Sequence, residues 1–279
     1  MKTIKNSQIT KKTTAALTKA NLYLPAEIKK IFRNNFRQAS NKKEKKYWRL
    51  LLDNAAWAVR EKIPLCQDTG TVITFVKMGK EVFVDGDLYE AINEGIRQAY
   101  QKNYFRKSVV GHPLERKNTG DNAPATIHTE SAPGNHLTIT FLVKGAGAEN
   151  QSQLLMLPPA AGIKGIKKFV IETVKKGGPS ACPPLIVGVG IGGTFETVGI
   201  LAKKALLRKI GSKNKNSKTA QLEKELLKEI NRLGIGLFGL KKGPTALAVH
   251  CETSPCHLAS LPVAVNLQCH AIREIKIKL

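Results

Sequence analysis

Three cysteines stand far apart in loop-like settings: Cys66 in PLCQDTG, Cys182 in PSACPPL and Cys269 in NLQCHA. Each lies beside a proline, a turn residue or a strand end. None belongs to a C-x-x-C pair, which disfavours a tetrahedral zinc knuckle. Separated thiolates can instead converge on one iron–sulfur cluster. Three of them fill three irons of a [4Fe–4S] cube and leave the fourth open, a Lewis acid able to hold a hydroxyl and a carboxylate. The commoner fate of a lone cysteine is a small buried hydrophobe, so the neighbours matter. Asp68 follows Cys66 by two residues, a spacing that suits proton transfer to a molecule held at such a cluster, although Asp before Thr-Gly also caps turns. Arg106 follows an aromatic pair, and its fork suits bidentate binding of a carboxylate; in so basic a chain it also reads as plain surface. Asn118–Asn122 and His128–Glu130 are dense in hydrogen-bonding groups that serve either a ligand or their own loop.

A second constellation is Gly188-Val189-Gly190-Ile191-Gly192-Gly193. It satisfies G-x-G-x-x-G after an apolar strand and before a helix, the setting of a dinucleotide site. Against this, no Asp or Glu lies between Glu196 and Glu223 to hold a ribose, and Cys182-Pro183-Pro184 precedes the strand. A glycine turn packed against a bulky neighbour is the competing reading. A nucleotide-dependent oxidoreductase stays open as an alternative at this point.

The elements that must position these residues follow from periodicity. Residues 12–60 read as helical, and residues 1–60 as a helical N-terminal layer. TVITFVKMG and KEVFVDGD read as strands, and Asp87 as the cap of a helix through LYEAINEGIRQAYQK. Residues 108–135 read as a long loop broken by TIHTE. HLTITFLVK is a strand, KGAGAEN a turn of small residues, and IKGIKKFVIETVKKGG an amphipathic helix. LIVGVGIGG reads as a short buried strand entering a glycine turn, TFETVGILAKKALLRKI and QLEKELLKEINRL as helices, and the C-terminal segment as two apolar strands around a Cys/His-rich turn. Helices and strands alternate without regular βαβ order, which predicts an α+β fold with a mixed sheet and helical layers. The reading is of one domain over residues 1–279.

Composition narrows the classes. Of 279 residues, 42% are hydrophobic, enough to exclude a disordered chain. No apolar run approaches the ~20 residues of a membrane span, and the N-terminus lacks the apolar centre of a secretory signal; a cytoplasmic location and no membrane partner are expected. The formal net charge is +24, and residues 1–49 hold 14 Lys/Arg against Glu27 and Glu44. Such a sign suits nucleic acid, a small anionic substrate or an acidic subunit. With aromatics at 6% and no RNA-binding signature, specific nucleic-acid binding is not expected.

Taken together, PLCQDTGT, NTGDNAPATIHTE, KGAGAEN, SACPPLIVGVGIGGT and TALAVHCETSPCHLASLPVAVNLQCHA resemble the alpha chain of class I fumarate hydratase and tartrate dehydratase. The five blocks run in one order from Cys66 to Arg273. The resemblance implies an iron–sulfur hydro-lyase with Cys66, Cys182 and Cys269 as ligands of a [4Fe–4S] cluster. It implies Asp68 in proton transfer, Gln67, Arg106 and His257 on substrate carboxylates, and Gly145 or Gly147 in a turn lining the pocket, with Gly147 the preferred position. It implies reversible hydration of a short dicarboxylate, fumarate to malate first and tartrate dehydration as the alternative. It also implies a separate beta-type subunit that completes the site, across an interface well over ~1,000 Å². KGAGAEN departs from the family's run of three glycines, GLKKGPT from its more glycine-rich turn, and Cys251 and Cys256 stand where the family does not lead one to expect cysteine.

Overall fold

The computed structural model describes residues 1–279. The chain runs β1 (Lys2–Lys5), α1 (Asn6–Leu22), α2 (Ala26–Gln38), α3 (Lys42–Arg60), β2 (Thr71–Gly79), β3 (Val82–Asp85), α4 (Leu88–Lys102), β4 (Thr126–Ala132) and β5 (Leu137–Lys144). It continues through a short α5 (Ala146–Glu149), then β6 (Gln153–Leu157), α6 (Gly162–Gly177), β7 (Leu185–Gly193), α7 (Phe195–Leu206), α8 (Ser217–Arg232), β8 (Ala246–Cys256), β9 (Leu261–Gln268) and β10 (Glu274–Lys278). These elements form two compact units. One comprises residues 1–34, 49–146 and 271–279, the other residues 35–48 and 147–270.

In the first unit a four-stranded sheet has the order β10-β5-β2-β4. β2 pairs parallel to β4 and antiparallel to β5, and β5 pairs antiparallel to β10. β5 alternates in the way a half-covered strand must: Leu137, Ile139, Phe141 and Val143 are buried on one face. Those residues pack with Ile92, Ile96 and Ala99 of α4 and with Ile9, Ala16 and Leu17 of α1. Spacings of four and three in α4, and of seven and eight from Ile9 in α1, put each set on one stripe. Asp87 caps α4, its side chain accepting from the Tyr89 and Glu90 N–H groups, as the sequence predicts. Lys2–Lys5 is not helical. It pairs parallel with β3 and buries Ile4, so the helical layer expected over residues 1–60 begins at α1.

In the second unit the sheet order is β6-β9-β7-β8, with β7 parallel to β8 and antiparallel to β9. α7 packs on this sheet through Val198 and Ala202, against Ala264. The mixed α+β expectation holds, with two four-stranded mixed sheets and a two-stranded pair in place of one sheet. The glycine motif departs from its predicted form. Gly188–Gly193 lies within β7 rather than in a turn. A Cβ at Gly188 would overlap the Ala202 carbonyl oxygen, and one at Gly190 the Val198 carbonyl oxygen. These glycines let helix backbone lie directly on strand backbone, so the competing packing reading is the one realised. No helix is long and apolar enough to cross a membrane.

Candidate active site

The Cys66–Gly70 loop is fixed by its main chain. The Leu65 N–H donates to the Asn21 carbonyl (2.8 Å) and Asn54 donates to the Leu65 carbonyl (2.9 Å). Both contacts set where Cys66, half-buried, leaves the loop. Asp68 points its carboxylate at backbone donors: Oδ2 accepts from Ala146 N–H (2.7 Å), and Oδ1 from Gly70 N–H (3.0 Å) and the Ser108 hydroxyl (3.5 Å). Gly70 has φ +68°, and a Cβ there would overlap the Lys144 carbonyl; only glycine brings this loop so close to the end of β5. Tyr100, fully buried, donates its hydroxyl to the Thr69 carbonyl (2.6 Å). Burial pushes its phenol up to about 12, so it remains a neutral donor at any working pH.

Arg106 lies in the segment after α4 and is tied to this loop through its main chain. The Thr69 hydroxyl donates to the Arg106 carbonyl (2.5 Å), which leaves the arginine side chain exposed. Asn122, buried with φ +66°, ties Gly70 to Ser108: its amide donates to the Gly70 carbonyl (3.1 Å) and its carbonyl accepts from Ser108 N–H (2.6 Å). Its neighbour Asp121 accepts from Arg97 Nε (3.0 Å) and Ala123 N–H (3.0 Å). Partial burial alone would raise the Asp121 carboxyl, but those donors and Thr119 hold it below its usual range. The Asn118–Asn122 stretch is therefore largely self-satisfied, with Asn122 the member that serves the Asp68 loop. His128 stacks on Phe75 (5.3 Å) along edge strand β4. Gln67 is exposed.

In the second unit Cys182 and Cys269 come to neighbouring segments. The Cys182 carbonyl faces the His270 N–H (3.3 Å) and its Nδ1 (3.0 Å), while Gln268 Nε2 lies 3.7 Å from Cys269 Sγ. Cys182 sits in the left-handed region (φ 55°, ψ 67°) and is exposed; Cys269 is buried. A left-handed non-glycine residue is strained backbone of the sort found at functional positions. Phe238 meets the His270 ring edge-on (5.5 Å) and donates its N–H to the Pro183 carbonyl (2.9 Å), bracing both segments. Gly147 is exposed, and a Cβ there would stand 3.6 Å from the Ser180 carbonyl, on the approach to Cys182. Gly145 instead belongs with Asp68 in the first unit. His257 is exposed at the β8–β9 turn. Its Nδ1 accepts from Ala259 N–H (3.1 Å).

None of the five cysteines is in a disulfide. No three His, Cys, Asp or Glu side chains are gathered to hold a single metal ion. A cubane asks for something else, one thiolate on each of three irons, and the thiol donor set at Cys66, Cys182 and Cys269 suits that chemistry. Cys251 is a different residue. It is fully buried, its thiol pushed up by burial beside Glu223, in a network where Glu223 accepts from Arg208 (2.5 Å) and from Cys251 N–H (2.7 Å). Cys256 donates its thiol to the Ser260 carbonyl (3.4 Å) within the β8–β9 turn.

Sequence reasoning missed four residues that build the Asp68 site: Asn21, Tyr100, Ser108 and Arg273. Arg273 is fully buried, and its Nη1 donates to the Asp68 carbonyl (2.8 Å) and to Asn21 Oδ1 (3.3 Å). The available signal was its place two residues beyond the last matching block, four residues after Cys269. Asn21 closes an otherwise apolar helix turn and gave none.

The profile of the fumarate hydratase (Fumerase) family matches residues 10–278. A provisionally named L(+)-tartrate dehydratase subunit alpha of Methanocaldococcus jannaschii is 42% identical over 269 residues, 92% of this chain and 94% of that protein. The L(+)-tartrate dehydratase subunit alpha of Escherichia coli K12 is 34% identical over 227 residues, 80% of this chain and 75% of that protein.

Proposed function

Since the chain belongs to the fumarate hydratase (Fumerase) family of hydro-lyases, we propose that it is the alpha-type catalytic subunit of an iron–sulfur dehydratase acting on a dicarboxylic 2-hydroxy acid. The observation that carries the reading is the Asp68 carboxylate, held by two backbone N–H groups two residues after Cys66. Cys66, Cys182 and Cys269 are the ligands for a [4Fe–4S] cluster, which when bound supplies a Lewis acid for the departing hydroxyl.

The chain's own groups do the rest. Asp68 takes the proton from the carbon next to the one that loses hydroxyl, so that water leaves in two parts and a C=C bond forms; in the reverse direction it returns that proton. Its hydrogen bonds to Gly70 and Ala146 N–H keep one carboxylate geometry throughout. Gln67, Arg106 and His257 orient the two substrate carboxylates, Arg106 by its exposed fork and His257 by the ring nitrogen left over from its bond to Ala259 N–H. Gly147, in α5, leaves backbone open beside the Ser180 carbonyl, two residues before Cys182. Such positioning is worth several kcal/mol of barrier.

The names of the relatives favour L(+)-tartrate over fumarate as substrate, reversing the order drawn from sequence blocks; the family's own description keeps fumarate hydration as the second reading. Those relatives are named as alpha subunits, which supports a separate beta-type partner supplying groups on the opposite face of the substrate. The test is anaerobic reconstitution with iron and sulfide, alone and with a beta-type subunit, followed by tartrate dehydration and fumarate hydration assays. The proposal expects activity only in the two-subunit sample, with tartrate preferred. Full activity of the isolated chain, or none with both subunits and a full cluster, would overturn it.

A further inference from the structure

Arg273 is among the largest fully buried side chains of the protein, at 1% exposure. A buried guanidinium normally survives by pairing with a carboxylate and satisfying all its donors. This one does neither. Nη1 alone is used, on the Asp68 carbonyl (2.8 Å) and Asn21 Oδ1 (3.3 Å); Nε and Nη2 have no hydrogen-bond partner. Unpaired buried donors cost free energy, so the fold does not keep Arg273 here to satisfy the arginine itself.

What it does serve lies across Gly145. A Cβ on that residue would stand 3.1 Å from Asp68 Oδ2 and 3.4 Å from Arg273 Nη2. The guanidinium and the carboxylate thus both border the space that a side chain at this glycine would fill. We infer that Arg273 is the positioning residue of Asp68. It grips the loop by the Asp68 carbonyl, braces that grip on Asn21, and sets its charge behind Gly145 so that the carboxylate stays against Gly70 and Ala146. Asn21 completes the brace, since its own carbonyl accepts the Leu65 N–H just before Cys66. Burial keeps Arg273 off the substrate, so it acts through Asp68.

This inference rests on the proposed hydro-lyase reading, and its test separates the two. Arg273→Lys and Arg273→Met are compared with wild type in the cluster-loaded complex with the beta-type subunit. A positioning role predicts a fall in kcat of about 10²-fold for Arg273→Met, KM within about threefold, unchanged iron content, and partial rescue in Arg273→Lys, which keeps the charge and one donor. Independently of activity, hydrogen exchange in the isolated chain should speed up about tenfold at the Gly70 and Ala146 amides, while the amides of β7 stay protected. A rise in KM with kcat retained would mean direct substrate binding and overturn the inference. Unchanged exchange at Gly70 and Ala146, or equal loss of protection at β7, would overturn it too. A wild-type complex with no dehydratase activity would refute the hydro-lyase reading, while the exchange experiment would still decide the role of Arg273.

Discussion

Replacing Asp68 by Asn tests whether its carboxylate does more than shape a turn. The carboxylate accepts from Ala146 N–H at 2.7 Å and from Gly70 N–H at 3.0 Å, one donor on each oxygen. An amide offers only one acceptor oxygen. Whichever way it is turned, its NH2 group faces a backbone N–H, and one charge-assisted hydrogen bond worth about 1.5–3 kcal/mol is lost. The Ser108 hydroxyl near Oδ1 can accept from that NH2 and recover part of it. The net cost is about 2 kcal/mol, a fall in Tm of roughly 4–8 °C for a chain of this size. The kinetic cost is separate. Losing a general acid–base group lowers kcat at least ~10²-fold, or about 2.7 kcal/mol of barrier. The assay is initial rates of tartrate dehydration by the anaerobically loaded complex, with iron content and thermal unfolding measured on the same sample. A variant with full iron, the predicted Tm loss and near-wild-type kcat would show that Asp68 is a turn cap and refute the proton-transfer role.

Further outcomes follow from other parts of the molecule. His250 is buried, and burial together with Arg208 holds its imidazole down at about 4 despite the opposing pull of Glu223. A depressed histidine stays neutral when folded but protonates when unfolded, so stability is full above about pH 6.5 and falls by roughly 3 kcal/mol as pH drops towards 4; urea titrations should show this loss in wild type and not in His250→Leu, and parallel curves would contradict it. Gly190→Ala places a methyl on the Val198 carbonyl and should destabilise by about 3 kcal/mol, with no change in affinity for nicotinamide nucleotides, measured by calorimetry. Ser substitutions at Cys66, Cys182 and Cys269 should each abolish stoichiometric iron, whereas Cys256→Ser should keep it; full iron in Cys182→Ser would exclude that ligand. In the native protein a thiol reagent should label Cys256 and spare Cys251, whose thiol is buried and pushed up.

Much of this architecture was legible because it rests on short-range rules. β2 has the predicted bounds, since its first six residues, TVITFV, are all β-branched or aromatic, and α4 starts where Asp87 caps it. The pattern of LIVGVGIGG predicts a strand but points to a turn at the glycines that in fact complete β7. Local sequence could not reveal that α7 would press its backbone onto them and require strand glycines. β10 went unnoticed although Ile275 and Ile277 alternate with lysines, because five residues are too few for a period to stand out. Among the candidate residues, Cys66, Asp68, Arg106 and His257 announce themselves by residue type. Asn21, Tyr100 and Arg273 act through main-chain carbonyls, contacts that any sequence can offer and that only the tertiary arrangement selects.

The order of the elements along the chain bears on how the protein is made. The first unit is built from three separated stretches, and its edge strand β10 hydrogen-bonds to β5, more than 130 residues earlier in sequence. Residues 147–270 all leave the ribosome before β10 and Arg273 do. Closing so long a loop is slow compared with local pairing, so the second unit has time to form while the sheet of the first still lacks a strand. During that interval the β5 edge is unpaired, the kind of edge that invites wrong partners, and the Asp68 loop lacks its brace. The site can therefore assume its working geometry only after the rest of the fold is in place.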